Sequence, residues 1–256
     1  MIDIHSHILP GVDDGAQTIE ESMKMAEAAV ADGIDTIIAT PHHKNGSFDN
    51  YKHDIIIQVG ELNRQLQQRN IPLEVLPGQE TRVYGELLNG LETNDILPIN
   101  EKTNYVFVEF PSGSVPKYAS QLFFDLQMAE YQPIIVHPER NKQLIEQPDL
   151  IYSFVKRGAF TQLTAGSVCG HFGRKIKKFS HQLIEHNLAH LIATDAHNTS
   201  ARGFCLTDAY GEVRKEFGLD MVYLLSENAE AVVNGKVLGA EPPEHIKKVK
   251  LFGLFG

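Results

Sequence analysis

Short runs of apolar and β-branched residues alternate with helix-type patterns along almost the whole chain. Such alternation is typical of βα units, in which helices join parallel strands. The runs that predict strands lie at residues 2–5, 34–39, 73–76, 105–109, 133–136, 159–163 and 189–193. The pattern therefore predicts an α/β protein of about seven parallel βα units.

The first predicted helix has clear signals at its start and along its length. Thr18 followed by Glu21 is a capping box. Met23, Ala26 and Val30 repeat on one helical face, and a glycine soon afterwards ends the pattern. Further helices are predicted near residues 49–69, 118–130, 150–156, 179–186, 206–217 and 227–234.

The length of 256 residues is normal for a single α/β barrel. No repeat or long linker divides the chain, so residues 1–240 are predicted to form one barrel domain. Residues 241–256 form a tail, in which the segment from Lys247 to Phe255 is basic and apolar. We expect this tail either to pack on its own or a neighbouring subunit, as in a homo-oligomer, or to dock on a partner protein or a membrane surface.

Charge and cysteine content indicate which partners and which cellular compartment to expect. The formal net charge of −10 argues against nucleic acid as the main partner, because phosphate backbones are held by clustered Lys and Arg. Two cysteines are too few for a disulfide scaffold and fit a reducing compartment. The chain shows no signal peptide and no apolar run near the roughly 18 residues of a transmembrane helix, so a cytoplasmic protein is expected.

Residues of the types that bind metals lie at or just after the ends of six of the seven predicted strands. They are His5, His7, His42, Glu80, Glu109, His137, Asp195 and His197. In a parallel α/β barrel the carboxyl ends of all strands meet on one face, so these side chains are expected to converge there. Single histidines elsewhere are expected to be ordinary structural residues, but a set placed in this way predicts an active site.

The spacing within this set favours metal binding. Side chains at i and i+2 of a strand point the same way, so His5/His7 and Asp195/His197 could each grip an ion. Of two adjacent acids in a glycine-bounded loop, Asp14 is the preferred additional ligand. Nine ligands are too many for one ion and suit two or three metals. Because no thiolate is included, Mn, Fe, Zn or Mg fits better than a structural Zn–thiolate centre.

Two arginines lie beside the ligands in sequence and suggest a phosphate substrate. Arg140 closes the segment His137-Pro138-Glu139-Arg140, and Arg202 follows His197 by five residues. A guanidinium fork matches two phosphate oxygens and stays charged, so both are predicted to bind substrate and act in catalysis. The alternative is that each forms a surface ion pair.

A cysteine-based phosphatase mechanism does not fit the sequence. That mechanism needs the spacing Cys-x5-Arg, whereas Cys169 and Arg174 give Cys-x4-Arg. Cys205 has no arginine at the required distance. The metal ligands therefore remain the candidate catalytic centre.

The ligand-type residues lie in seven motifs, in this order along the chain: Asp3-Ile4-His5-Ser6-His7-Ile8-Leu9-Pro10, Val12-Asp13-Asp14-Gly15, Ala39-Thr40-Pro41-His42-His43, Pro77-Gly78-Gln79-Glu80, Val108-Glu109-Phe110-Pro111, His137-Pro138-Glu139-Arg140 and Thr194-Asp195-Ala196-His197. Together they resemble the polymerase-and-histidinol-phosphatase (PHP) superfamily. Within it the chain is similar to the bacterial metal-dependent protein tyrosine phosphatases of capsule and exopolysaccharide biosynthesis.

The resemblance implies a distorted TIM-like barrel (the PHP fold) with a trinuclear site usually associated with manganese, with iron, zinc or magnesium as alternatives. By the same resemblance, His5, His7, Glu80 and Asp195 hold one metal, Glu80 bridges to a second metal bound also by Glu109 and His137, and Asp14, His42 and His197 hold the third. The implied substrates are phosphotyrosyl proteins, namely bacterial tyrosine autokinases of polysaccharide export and their own substrates.

The mechanism implied by such a site is direct attack on phosphorus. A hydroxide that bridges two metals is a strong nucleophile at neutral pH. Arg140 and Arg202 would neutralise the equatorial phosphate oxygens. A tyrosine leaving group, with a pKa near ~10, departs with little help from an acid. The expected function is metal-dependent hydrolysis of protein phosphotyrosine.

Three other functions stay open on the sequence alone. A small-molecule phosphoesterase of the same superfamily, such as a histidinol phosphatase, would share the metals and differ in the pocket. Metal-dependent C–N hydrolysis on an amidohydrolase-like barrel shares the His-x-His start, although the extra carboxylates and the arginines favour phosphate. A non-catalytic scaffold would have no need of a full ligand set.

Overall fold

A computed structural model describes residues 1–246 of the chain. The predicted basic and apolar segment at 247–255 lies outside the described residues. The strands are β1 (Ile2–Ser6), β2 (Thr36–Ala39), β3 (His42–His43), β4 (Glu74–Pro77), β5 (Glu80–Arg82), β6 (Tyr105–Glu109), β7 (Gln132–Val136), β8 (Phe160–Thr164) and β9 (Leu191–Ala193). All seven predicted strands are confirmed, with ends displaced by at most two residues.

All strand pairs within the two sheets are parallel, which confirms the predicted α/β class. One sheet has the order β1-β2-β4 and the other the order β3-β5-β6-β7-β8-β9. Every residue of β6 is buried. Strands buried on both faces are typical of parallel sheets covered by helices, and they explain why these runs are continuously apolar.

Two of the predicted strands continue beyond a break into a second short strand. β2 is followed by Thr40-Pro41 and then β3, and β4 is followed by Gly78-Gln79 and then β5. Pro41 lacks the N–H group that a sheet ladder requires, so the ladder is interrupted at the first of these breaks. The short continuations β3 and β5 begin with His42 and Glu80. Each break therefore changes the direction in which the following side chain points.

The end of the first strand lies beside the segment that follows the last strand. The amide of Asp195 donates to the carbonyl of His5 at 2.9 Å, and the amide of His7 donates to the carbonyl of Ala196 at 2.8 Å. A parallel bridge pairs Ser6 with Ala196. These bonds bring two of the predicted ligand pairs, which are about 190 residues apart in sequence, next to each other.

The helices are α1 (Ile19–Ala31), α2 (Lys52–Gln68), α3 (Leu87–Glu92), α4 (Ala119–Met128), α5 (Lys142–Glu146), α6 (Asp149–Lys156), α7 (Ala165–Cys169), α8 (Arg174–Glu185), α9 (Leu206–Phe217) and α10 (Leu219–Val233). A 3-10 helix spans Pro138–Arg140. Half of the predicted capping box of α1 forms: the amide of Glu21 donates to Thr18 Oγ1 at 3.2 Å, whereas the Glu21 carboxylate accepts from the amide of Gln17 at 2.7 Å and not from that of Thr18.

Two predicted helices begin too late. Helix α8 starts five residues before the predicted 179, because its first turn is basic and carries no apolar periodicity. Helix α10 starts eight residues before the predicted 227, directly after Gly218, which also ends α9. The short helices α3, α5 and α7 are five or six residues long and were not predicted, because one turn shows no repeat of apolar positions.

Two apolar clusters hold the strands in place. The larger lies between the strands and the surrounding helices, and the smaller joins strand side chains such as Ile4, Phe107 and Ile134 to Val232 of α10. Within residues 1–246, no helix combines the length and apolar character that a membrane crossing requires. The packed strands thus form a rigid support for the side chains at their carboxyl ends.

Candidate metal centre

The predicted ligands gather at the carboxyl ends of the strands, as expected. Their ligand atoms form three groups, and within each group the atoms lie within 4.8 Å of one another. The groups are His5, His7, Glu80 and Asp195; His7, Asp14, His42 and His197; and His42, Glu80 and Glu109. Eight of the nine predicted ligands belong to at least one group, and several belong to two.

His137 is the predicted ligand that lies outside these groups. Its Nε2 atom is 2.6 Å from Oε1 of Glu80. The structure therefore groups His42, rather than His137, with Glu80 and Glu109. Burial, followed by the charge of Arg140, lowers the pKa of His137 to about 4. The ring is thus neutral near pH 7, which is the form that can ligate a metal.

Three imidazoles are oriented by acceptors behind them. Nδ1 of His5 is 2.9 Å from Oε1 of Gln162, and Nδ1 of His7 is 2.6 Å from Oδ2 of Asp13. Nδ1 of His197 is 2.9 Å from a main-chain carbonyl oxygen. Because these partners are acceptors, each Nδ1 carries a hydrogen, and Nε2 is the nitrogen left to ligate a metal. This arrangement is typical of histidines that bind metals.

Six buried side-chain atoms at the centre have no partner in hydrogen-bonding geometry within residues 1–246. They are Nε2 of His5, His7 and His197, Nδ1 of His42, Oε2 of Glu80 and Oδ1 of Asp195. Buried polar atoms without a partner are rare and costly in native proteins. Imidazole nitrogens and carboxylate oxygens are the ligands of divalent cations such as manganese, iron and zinc. The donor set therefore fits bound metal ions.

The central carboxylates are held in their ionised form. Burial alone would raise the pKa of Glu80, but the charges of His42 and His5 keep it well below its usual range. Burial likewise opposes ionisation of Asp195, and the charge of Arg140 outweighs it and lowers that pKa. Both groups can therefore ligate a cation without first losing a proton.

One glycine brings the acidic loop onto the end of β1. A Cβ atom at Gly15 would lie 2.0 Å from the carbonyl oxygen of His7, so only glycine fits there. Asp14 then points to the cluster, with Oδ1 3.3 Å from Nε2 of His42 and 3.4 Å from Nε2 of His197.

Asp13, the acid not chosen from the sequence, lies behind the ligands. Its buried carboxylate accepts from Nδ1 of His7, from the amide of His42 at 3.1 Å and from the amide of Gly15 at 2.9 Å. A pattern of residue types cannot assign different roles to two adjacent aspartates. Their roles depend on how the loop folds onto the strand.

Two candidate ligands adopt left-handed backbone conformations. The φ angles are 36° at His137 and 52° at Asp195. Positive φ is uncommon in residues other than glycine, and it persists only where surrounding contacts enforce it. Beside Asp195, the amide of Thr194 donates to Oδ1 of Asp3 at 2.9 Å, which fixes the turn that follows β9.

Both predicted arginines lie at the centre. Nη2 of Arg140 is 2.5 Å from Oδ2 of Asp195, and Nη2 of Arg202 is 3.2 Å from the same oxygen. Nη1 of Arg202 is also 3.6 Å from Oδ2 of Asp14. A cavity of about 260 Å³ opens here, lined by both guanidinium groups and by His42, Glu109 and His137. The arginines therefore face the candidate ligands and are not isolated surface ion pairs.

Several residues that support the centre were missed from the sequence. Gln162 is buried in β8, where Thr161 and Thr164 are also buried polar residues, so the sequence does not single it out. Nε of Arg82 donates to Oε2 of Glu109 at 2.9 Å. Arg82 stands two residues after Glu80 in β5 and so shares its face, which the spacing could have shown.

Known proteins match the chain along most of its length. Residues 1–234 match the family described as capsular polysaccharide synthesis, CpsB/CapC. The chain is 48% identical over 255 residues to the tyrosine-protein phosphatase YwqE of Bacillus subtilis, with 100% of both chains covered.

Solved structures agree with this match. A chain from the crystal structures of YwqE from Bacillus subtilis and CpsB from Streptococcus pneumoniae, described as unique metal-dependent tyrosine phosphatases, has a TM-score of 0.95 and 47% identity, covering 97% of this chain and 100% of that chain. A β-aspartyl dipeptidase from Fervidobacterium islandicum AW-1 shares the fold alone, with a TM-score of 0.51 at 14% identity over 95% of this chain and 77% of that chain. From the family match and the near-complete likeness to its relatives, the chain belongs to the CpsB/CapC family of capsular polysaccharide synthesis.

Proposed function

We propose that the chain is a metal-dependent tyrosine phosphatase that hydrolyses phosphotyrosine on proteins of capsular polysaccharide synthesis. The observation that carries the proposal is the convergence of partnerless buried ligand atoms on a cavity that also holds two guanidinium groups. The names of the full-length relatives, tyrosine-protein phosphatase and metal-dependent tyrosine phosphatase, support it. Tyrosine autokinases of polysaccharide export are the proposed protein substrates.

The proposed metal site holds three ions, with manganese as the first candidate and iron, zinc or magnesium as alternatives. His5, His7, Glu80 and Asp195 would hold one ion, Glu80, Glu109 and the adjacent His137 a second, and Asp14, His42 and His197 a third, so that each imidazole serves one ion. Bound divalent ions supply Lewis-acid activation of water and neutralise phosphate charge. The buried, ionised carboxylates make such binding favourable.

Arg140 and Arg202 are proposed to bind the phosphate group. Each contacts Asp195 through one Nη atom, and Nε of Arg140 is buried without a partner among the described residues. Most guanidinium donors of the pair therefore remain free for phosphate oxygens. Fixed donors aimed at developing negative charge stabilise the transition state more than mobile water does.

The cavity wall is proposed to seat the aromatic ring of the substrate. Phe110, Val136 and Pro138 line it beside the arginines. An apolar wall next to the positively charged arginines suits phosphotyrosine, because its ring separates the phosphate from the peptide backbone. Because phenolate is a good leaving group, with a pKa near ~10, these residues need only bind and orient the ester.

We infer the following architecture and location for the enzyme. The seven strand units, counting β2/β3 and β4/β5 as one each, form a distorted TIM-like barrel within residues 1–240. The bonds between the end of β1 and the segment after β9 support this arrangement. Both cysteines are free, which suits the reducing cytoplasm.

Hydrolysis of matched phosphotyrosine and phosphoserine peptides tests the proposal. After chelation the purified protein should be inactive, and added manganese should restore hydrolysis with a preference for phosphotyrosine. His5→Ala should abolish the restored activity because Nε2 of His5 is a proposed ligand atom. His53→Ala, on the exposed face of α2, is the matched control and should remain active.

Two outcomes would contradict the proposal. Activity that resists chelation would exclude metal catalysis. Metal-dependent activity confined to small esters such as histidinol phosphate would instead identify a metabolic phosphatase.

A further inference from the structure

One face of helix α8 carries a cluster of exposed cations in an otherwise acidic protein. Arg174, Lys175 and Lys178 are exposed, although the net charge of the chain is −10. Within residues 1–246, no carboxylate lies within 4.0 Å of these three cationic groups, whereas Lys177 is paired with Glu212 at 2.6 Å. We call Arg174, Lys175 and Lys178 the α8 patch.

The α8 patch does not help the helix to form. The first turn of α8 contains no acidic residue, and the helix begins without a side-chain cap. Lys178 lies three residues from Lys175 and four from Arg174, and like charges at these spacings are destabilising. Cations near the amino end also oppose the helix dipole. A local arrangement that costs stability without an evident structural gain is expected at functional sites.

The α8 patch lies beside the mouth of the candidate metal centre. Helix α8 packs against the 3-10 helix Pro138–Arg140. The Phe172 ring, two residues before Arg174, has its centroid 5.6 Å from Cζ of Arg140. A polypeptide that leaves the cavity past Arg140 and Phe172 therefore reaches the patch directly.

We propose that the α8 patch docks acidic side chains that flank the phosphotyrosine in the protein substrate. This inference rests on the proposed tyrosine phosphatase function and adds a determinant of substrate choice. Arg174 follows Phe172 by two residues, and an extended peptide of about three to six residues reaches about 10–20 Å beyond the phosphotyrosine. Asp or Glu residues at that separation from the phosphotyrosine would meet the three free cations.

An acidic polypeptide suits this surface better than an anionic membrane. Helices that bind membranes present large apolar side chains next to their basic residues. The apolar residues Phe179, Leu183 and Ile184 of α8 are buried in the protein. No large apolar side chain of α8 is exposed. The patch thus offers charge alone, which matches flanking carboxylates.

The test compares two phosphotyrosine peptides that differ only in Asp/Glu or Asn/Gln at the flanking positions. The manganese-loaded enzyme is assayed at low salt as wild type, as Lys175→Glu/Lys178→Glu and as Lys102→Glu/Lys236→Glu. The last pair is a control with the same charge change. Lys102 precedes β6, and the carbonyl of Lys236 accepts from Oη of Tyr105 at 2.7 Å, so both lie at the amino ends of the strands, away from the centre.

We expect the wild type to favour the acidic peptide in kcat/KM, with a ratio of acidic to neutral peptide of about tenfold, since two exposed ion pairs together are worth about 1.4 kcal/mol. The ratio should fall to about one or below in the α8 variant and stay unchanged in the control. Raising the salt concentration should also lower it in the wild type.

Four results would overturn the inference. The acidic preference could be absent from the wild type or persist in the α8 variant. Both charge-reversed pairs could lose it equally, which would indicate an effect of net charge. The variant could lose binding to phosphatidylglycerol vesicles with the peptide ratio unchanged, which would identify a membrane surface. Absence of hydrolysis of either peptide by the wild type would instead refute the proposed function itself.

Discussion

Asp13 and Asp14 are neighbours in sequence, yet their carboxylates have different environments. Asp13 is 4% exposed and holds the His7 ring from behind, whereas the Asp14 side chain is 49% exposed and faces His42 and His197. The first arrangement fixes a tautomer, and the second presents an oxygen to the cluster. Two residues of one chemical type thus have separate roles because the loop places their carboxylates against different atoms of the site.

At the same scale, we predict that Arg140→Lys lowers kcat for phosphotyrosine peptides by about 10²–10³-fold. Lysine keeps the charge but loses the planar fork that can bind two phosphate oxygens. Steady-state kinetics of the manganese-loaded variant measures the loss. Arg64→Lys is the control, because Arg64 is paired with Glu61 on the exposed surface of α2. Equal activity of Arg140→Lys and the wild type would contradict a phosphate-binding role.

At the scale of elements, turns and breaks aim the candidate ligands more than the regular strands do. The breaks after β2 and β4 place His42 and Glu80 at the start of short continuations, where they pair in register. The left-handed residues His137 and Asp195 turn the chain directly after β7 and near the end of β9. The strands supply a common edge, and the irregular residues beyond them bring the ligand atoms within reach of one another.

At this scale we predict that the fold of the acidic loop, residues 11–15, is needed for metal binding. Gly15→Ala should lower metal affinity by at least about 10–100-fold and reduce activity accordingly, because the new Cβ would collide with backbone and displace both aspartates. Metal titration of the chelated protein measures the change. Gly60→Ala in α2 is the control, since nothing lies within 4 Å of its added Cβ and alanine favours a helix by about 0.5–1 kcal/mol. Unchanged metal binding in Gly15→Ala would show that the loop is not needed.

At the scale of the whole molecule, the fold concentrates charge at one face of an acidic protein. Four carboxylates and five imidazoles from residues 5–197 meet there, together with two arginines. In the metal-free protein the negative charges of the carboxylates are balanced by arginines and protonated histidines. Burial favours the neutral ring of His42, but the carboxylate of Glu80 outweighs burial and raises the pKa of His42 to about 10.

Metal binding should therefore release protons. Between the ordinary histidine pKa near 6.5 and about 10, His42 is protonated in the metal-free protein, and it must lose that proton to ligate a metal. We expect at least about one proton per chain to be released at pH 7, and metal affinity to fall as the pH is lowered. Calorimetric titration with manganese in buffers of different ionisation enthalpy measures the release. A binding enthalpy that does not depend on the buffer would contradict this prediction.

The sequence by itself determined the α/β class, the positions of the strands along the chain and the residue types at their ends. These features follow from apolar periodicity and from chemistry at single positions, which are local properties of the chain. The positions of Arg140 and Arg202 beside the ligands were also predicted, because both follow a ligand closely in sequence and stay near it in space.

Only the tertiary structure decided which ligand atoms share a group. The placement of His42 with Glu80 and Glu109, the separation of Asp13 from Asp14, and the support of His5 by Gln162 all depend on contacts between residues far apart in sequence or on the exact path of a loop. Such contacts are set by how strands pack and where the backbone turns. A one-dimensional pattern fixes which residues reach the site, whereas three-dimensional packing fixes which atoms meet there.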